Sequence, residues 1–300
     1  VELAEYLERI DYAGTLEPTK ETLFSLQMAH HRSVTYENLD IHLGKRVTFE
    51  LPAVFDRIVR QRRGGWCFGM NALFGWALAE LGFHVTLHAA TVGRESGNEG
   101  RQDGHLVLLV HLEQTYLADV GFGAGFREPL PMNEGSYSQG FLSFRLSECG
   151  SCWLFHNDPA FGVGYGFTLE PKRMSDFDES CEWLQTSPES GFVNSTVCHR
   201  MKPDHISSLR GVILKTVSAQ GVDYQQIVSL DQYRHCLRSR FDLAIDAVSE
   251  LWEHVVARHR AWLQADPDAL EYIAELRAYD AVSQREGESI SRLRTQIVRE

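Results

Sequence analysis

No apolar run in the 300 residues reaches membrane-spanning length; the best candidates, residues 106–110 and 67–83, are too short or interrupted. No charged-then-apolar leader precedes a small-residue cleavage site, which predicts a cytoplasmic protein with no membrane partner. Positive charge is in short supply, 29 Lys+Arg against 41 Asp+Glu for a net charge of −12, and this argues against nucleic acid as a main partner. A local pocket can still invert that sign for one anionic ligand. Internal repeats, low-complexity tracts and flexible linkers are missing too. What is left is ordinary globular composition, 43% hydrophobic and 23% charged.

Cysteine is scattered rather than patterned: Cys67, Cys149, Cys152, Cys181, Cys198 and Cys236. Without a secretion signal these thiols are expected to be reduced. "CGSC" (149–152) lacks the second pair that a zinc knuckle needs, and its flanks read as two strands joined by a Gly-Ser turn. A hairpin tip is the favoured reading, with a metal or redox role as the lesser alternative.

Hydrophobic spacing divides the chain. Leu3, Leu7 and Ile10 mark a short helix; residues 19–31 carry Leu23, Leu26, Gln27 and His30 at helical spacing after a proline. Residues 52–62 start with Pro52 in a favoured first-turn position and set Val54, Ile58 and Val59 on one side. A fourth helix is predicted from Cys67 to Leu81, stopped by Gly82. Then the period changes. Phe83, Val85, Leu87 and Ala89 alternate with His84, Thr86, His88 and Ala90, a strand pattern. It places His84 and His88 about 13 Å apart and excludes them as a metal pair; no metal site is expected. Further strands are predicted at 105–112, 115–120, 141–147, 152–156 and 165–169, a sheet or small barrel. "GVILKTVS" and "VDYQQIVSL" read as two more, and from Asp231 a helical tail presents Leu251, Val255, Val256 and Trp262. The last 35 or so residues are charged, contain the turn "ADPDA", and read as helices docked on the surface or partly mobile.

"RRGGWCFGMN" (62–71) puts Cys67 at the start of the fourth helix. Unpaired amides and the dipole there favour an anion, which would lower a thiol pKa and could stabilise an oxyanion. Gly64 and Gly65 clear the approach. A reacting thiolate also needs a base and a group to orient it. His105 opens the apolar strand of "DGHLVLLV", and Asp119 is the one acid inside the apolar strand of "YLADVGFG". Hairpin spacing sets Asp119 opposite Leu108 or Leu109, about 10–13 Å from His105, so a bulge, strong twist or another strand order is required. On spacing alone, a buried cysteine and a structurally satisfied aspartate remain the favoured reading.

These stretches carry a resemblance. "RRGGWCFGMN", "VTYENLDIHLG" (34–44), "DGHLVLLV", "YLADVGFG" and "SPESGFVNS" (187–195) resemble, in order and spacing, the landmarks of the arylamine N-acetyltransferase family over roughly residues 1–260. The resemblance implies an α+β, papain-like cysteine transferase fold in three parts: a helical bundle over 1–83, a central antiparallel β-barrel over 84–195, and an α/β lid over 196–300 with a helical extension. It implies Cys67, His105 and Asp119 as catalytic triad. It implies ping-pong transfer of acetyl from acetyl-CoA, a co-substrate rather than a tightly bound cofactor, through an acetyl-cysteine. The acceptor is an arylamine, arylhydrazine or N-arylhydroxylamine. Phe122 matches a pocket aromatic, and Gly121 and Gly123 a glycine loop that admits CoA; Gly104, Phe68, Tyr36, Val92 and Phe192 are the further candidates for binding substrate or CoA. By analogy Arg63 pairs with an acid such as Glu37. Gly69 departs from the pattern, where a longer polar side chain is usual, and the tail beyond about 264 is longer than expected. The protein is expected to be a monomer or homodimer.

Other readings share these residues. An amide synthase of the same fold, acting on a thioester-bound polyketide, would use the same triad. A cysteine peptidase or transglutaminase-like enzyme shares the order Cys, His, Asp, and a silent binding module would use only the pocket.

Overall fold

The computed structural model describes residues 1–97 and 101–265. Its helical third holds α1 (Leu3–Arg9), α2 (Lys20–Ser33), α3 (Leu39–His42), α4 (Leu51–Phe55) and α5 (Cys67–Glu80). Thr19 caps α2 by accepting from the Thr22 amide. Gly82, at φ +86°, turns the chain out of α5. One expectation fails: the helix over 52–62 is not continuous. After Phe55 it widens into a π-helical turn, Asp56–Arg60, closed by Gln61 N–H donating to Asp56 O at 2.8 Å.

That turn adjoins a buried ion cluster. Arg57 and Arg63 both reach wholly buried Glu37, at 2.7 and 2.8 Å, and both also reach Asp40. The expected Arg63–Glu37 pair is therefore present, with two partners that the sequence reading did not include. Arg57 Nε also donates to Gly64 O at 2.7 Å. On the same segment Gly65 N–H donates to Thr35 O, and Glu37 N–H to Gly65 O. The two glycines are thus stitched beside β1 (Tyr36–Glu37). A Cβ on Gly64 would overlap the Thr35 carbonyl, so only glycine fits there. This stitching fixes where α5, and hence Cys67, begins.

The barrel is an eight-stranded antiparallel sheet. In spatial order it runs β5 (Leu130–Pro131), β4 (Thr115–Ala118), β3 (His105–His111), β2 (His84–Val92), β9 (Tyr165–Lys172), β8 (Cys152–His156), β7 (Leu142–Cys149) and β6 (Gly135–Gln139). Cross-strand partners share a face. His105 pairs with Ala90 and Val107 with His88, so His105, Val107 and Leu109 look into the barrel, while Leu106, Leu108 and Val110 pack on the helices. His84 and His88 do lie on a strand; the His84 ring stacks on His111 at 4.6 Å, and His88 Nδ1–H donates to Thr168 O at 3.1 Å. "CGSC" is the tip of the β7–β8 hairpin.

The second sheet has the order β1, β10 (Val197–Met201), β11 (His205–Arg210), β12 (Ile213–Ser218), β13 (Gly221–Gln226). It packs with α8 (Leu230–Phe241) and α9 (Val248–Ala265) around Leu209, Leu214, Tyr233, Leu237 and Leu251. Packing interleaves the three chain segments. β1, from the first, edges this sheet, and Phe177 and Cys181, from α6 (Asp178–Thr186) and the turn before it, are buried in the helical core. The tail expected beyond residue 265 lies outside the described residues. No helix among them is long and apolar enough to cross a membrane.

Candidate active site

Cys67 is the first residue of α5, with Trp66 in the extended N-cap position. It is buried, and its Sγ sits 4.0 Å from Gly104 O, at the entry to β3. Burial pushes the Cys67 thiol up, and the neighbouring Cys181 thiol and Asp119 carboxylate act the same way. The backbone amides of Phe68 and Leu106 pull it down without prevailing. The lowered pKa expected from the helix start is thus outweighed by desolvation. A thiolate here needs a cation beside it, and the sulfur lies against the backbone on either side of His105.

His105 Nε2 donates to Asp119 Oδ2 at 2.7 Å, both side chains buried. A carboxylate only accepts, so Nε2 carries the proton. Burial alone would raise the Asp119 carboxyl. The charge and hydrogen bond of His105, with bonds from Asn71 and the Gly121 amide, hold it below the usual range. The 10–13 Å expected between His105 and Asp119 does not exist, for two reasons. The β3–β4 ladder pairs Leu108 with Ala118, so Asp119 continues toward Val107, closer than expected. The ladder then ends at Ala118, and the chain turns in to meet the histidine.

That turn is held by residues outside the predicted triad. Asn71 Nδ2 donates to Asp119 Oδ1 at 2.8 Å and to Leu106 O at 2.6 Å, and its Oδ1 accepts from Val120 N–H at 2.9 Å. Gly121 N–H donates to Asp119 Oδ1 at 2.8 Å, and the Asp119 amide to Gln27 Oε1 at 3.2 Å. Asn71 is the single polar side chain of α5 before Glu80, one turn after Cys67; that isolation was the signal for it. Tyr165 had no such signal. It is wholly buried, its ring 5.1 Å from His105 and 4.9 Å from Phe122.

Most of the remaining candidates gather here. Phe122 faces His105 at 5.2 Å between ring centroids. Gly121 packs so closely on α5 that a Cβ would fall 2.7 Å from Cys67 Cα. Gly123 has φ +83°, and a Cβ there would meet His199 Cδ2 at 2.6 Å. Tyr36 lies 5.5 Å from His199 and 6.4 Å from Phe192, which in turn meets Trp66 at 5.0 Å. Val92 is exposed at the end of β2, paired with Tyr165 and two residues beyond His105's partner Ala90. Phe68 is wholly buried among Phe49, Trp66 and Phe177, in the helical core. Gly69 also has a local explanation: a Cβ would sit 3.3 Å from Val54 Cγ2, so α4 occupies the space a longer side chain would need. Chemically, a thiol at a helix start beside a buried imidazole–carboxylate pair can attack an acyl group and pass it on.

Known proteins resemble this chain in sequence and in fold. A family model described as N-acetyltransferase matches residues 19–250. The arylamine N-acetyltransferase of Gallus gallus called pineal gland isozyme NAT-3 is 32% identical over 276 residues, covering 82% of this chain and 95% of its own. Arylamine N-acetyltransferase 1 of Homo sapiens is 32% identical over 239 residues, covering 71% and 82%. Among solved structures, that of Mycobacterium marinum arylamine N-acetyltransferase in complex with CoA superposes with a TM-score of 0.78 at 28% identity, over 85% of this chain and 98% of that one. Fold, sequence and the company Cys67 keeps agree: this chain belongs to the arylamine N-acetyltransferase family.

Proposed function

We propose that this chain transfers acetyl from acetyl-CoA to small arylamines, arylhydrazines or N-arylhydroxylamines, through an acetyl-thioester on Cys67. The observation that carries this reading is the buried His105–Asp119 bond at the foot of β3, beside a thiol that begins α5. With Nε2–H committed to Asp119, His105 Nδ1 takes the Cys67 proton, and the imidazolium supplies the cation that the buried thiolate requires. The thiolate adds to the thioester carbonyl, and amides at the start of α5 stabilise the oxyanion. Collapse expels the CoA thiolate, which His105 protonates. The amine then attacks acetyl-Cys67 while His105 Nδ1 accepts its proton, and collapse restores the thiolate–imidazolium pair. Thioester exchange onto a thiolate is nearly balanced, so the acyl-enzyme stays reactive.

Phe122 and Tyr165 beside His105, with Tyr36, Phe192 and Val92 farther out, are read as walls of the acceptor site, and Gly104, Gly121 and Gly123 as the loops that admit CoA. Residues 196–265 are read as the lid, and six unpaired cysteines support a cytoplasmic location. Brief exposure to acetyl-CoA alone is expected to acetylate the peptide carrying Cys67, and an arylamine to discharge it; Cys67→Ser abolishes both. Intact-mass and peptide mapping read the result. No adduct, or an adduct on another cysteine, would sink the proposal.

A further inference from the structure

Cys149 and Cys152 are Cα partners across the β7–β8 hairpin, with Gly150 and Ser151 as its two-residue turn. Gly150 supplies the left-handed backbone such a turn requires, at φ +60°. Directly opposed residues point to the same face, and their usual Cα spacing of about 4.5–5.5 Å lies inside the range a disulfide spans. Both thiols are free. They differ in access: Cys149 is exposed, whereas Cys152 is 4% exposed and donates its thiol proton to Cys149 O at 2.9 Å. Arg94 lies along this outer face of the barrel, against Gly166, where a Cβ would meet its Cδ at 2.7 Å. Burial and then the Cys149 thiol push the Cys152 thiol up, and the Arg94 charge opposes them. Acetyl transfer uses neither sulfur.

We propose that Cys149 and Cys152 form a redox-active dithiol, converted to an intrachain disulfide by a low-molecular-weight disulfide. Access assigns the order of events. The exposed Cys149 thiolate attacks one sulfur of the incoming disulfide, its S–S bond breaks, and one small thiolate leaves and takes up the proton that Cys149 lost. The Cys152 thiolate then attacks the Cys149 sulfur of the mixed disulfide and expels the second small thiolate, which takes up the proton that Cys152 lost. Two protein thiols are oxidised by two electrons, and one disulfide is reduced to two thiols. Excess reductant reverses both steps.

Glutathione disulfide is the probe, with the wild-type chain mapped by mass under non-reducing conditions. The peptide spanning 149–152 is expected to become lighter by about two mass units and to retain no glutathione. Cys152→Ser is expected to trap glutathione on Cys149, and Cys149→Ser to show neither product. Glutathione that persists on wild-type Cys149, a disulfide joining two chains through Cys149, or no reaction at either residue would overturn the proposal. If Cys152→Ser fails to fold, the wild-type map still decides between closed disulfide and retained glutathione. The same map reads Cys67 separately, so the outcome is independent of acetyl transfer.

Discussion

Asn71 donates to Asp119 Oδ1 at 2.8 Å from a position one helical turn after Cys67, so one helix carries both the thiol and the clamp on the distant carboxylate. The same amide group bonds Leu106 O, immediately after His105 in the chain, and its oxygen receives the Val120 amide. Asn71 therefore fixes β3 and the turn after β4 relative to α5, and with them the distance from imidazole to sulfur.

Asn71→Ala removes all three bonds and leaves buried Leu106 O and Val120 N–H without these partners. A cost of about 2–4 kcal/mol in stability is expected, together with a fall of roughly 10–100-fold in acyl-enzyme formation. Stopped-flow acetylation of Cys67, alongside urea unfolding, separates the two effects. An acetylation rate within twofold of wild type would remove Asn71 from the positioning of the triad.

Acid stability should be set by histidines before carboxylates. Burial lowers His31 and His42 to about 4 and His199 to about 3, and it holds His30 well below its ordinary value. The unfolded chain takes up protons near the usual histidine value of about 6.5, so stability is lost as pH falls from there toward the folded values. Burial of His31 and of His42 each costs on the order of 3 kcal/mol of stability once the pH is below both values. The Asp119 carboxyl is lowered instead, so its contribution persists above about pH 3.9 and disappears only as pH falls through its folded value. The urea midpoint should therefore drop steadily between pH 6.5 and 4.5. A flat profile over that interval would contradict the neutral, buried assignment of these rings.

What was legible in the sequence follows from how local each signal is. The proline before α2, its apolar spacing and the Gly82 stop of α5 act within a turn or two, and both helices form where they predict. The alternation of β2 was equally readable. The His105–Asp119 contact was not, because hairpin counting assumes that the ladder continues. It ends at Ala118, and the turn beyond is tied by Asn71, 48 residues away, and by Gln27, 92 residues away. The π-helical turn was hidden for the same reason: it contains Arg57, whose side chain reaches the distant Glu37 and Asp40. Phe68 shows the opposite limit. Neighbouring the nucleophile in sequence, it belongs to the core among Phe49, Trp66 and Phe177.

Gly121→Ala tests how closely the turn after Asp119 must approach the helix start. The added Cβ would fall 2.7 Å from both Cys67 Cα and Asn71 Nδ2, and 2.8 Å from Cys67 O. Two of these atoms are backbone of the first residue of α5, which is itself held by the Glu37–Arg63 stitching, so relief means moving the turn. Moving it stretches the Gly121 N–H bond to Asp119 and turns the carboxylate away from His105. The expected cost is about 1–3 kcal/mol in unfolding free energy, with a larger proportional loss of acetylation rate than of stability. Gly191→Ala is the control. It lies at the start of α7 (Gly191–Asn194), and nothing stands within 4 Å of its added Cβ, so both measurements should stay near wild type. Equal effects in the two variants would mean that close approach at Gly121 is not what holds the triad together.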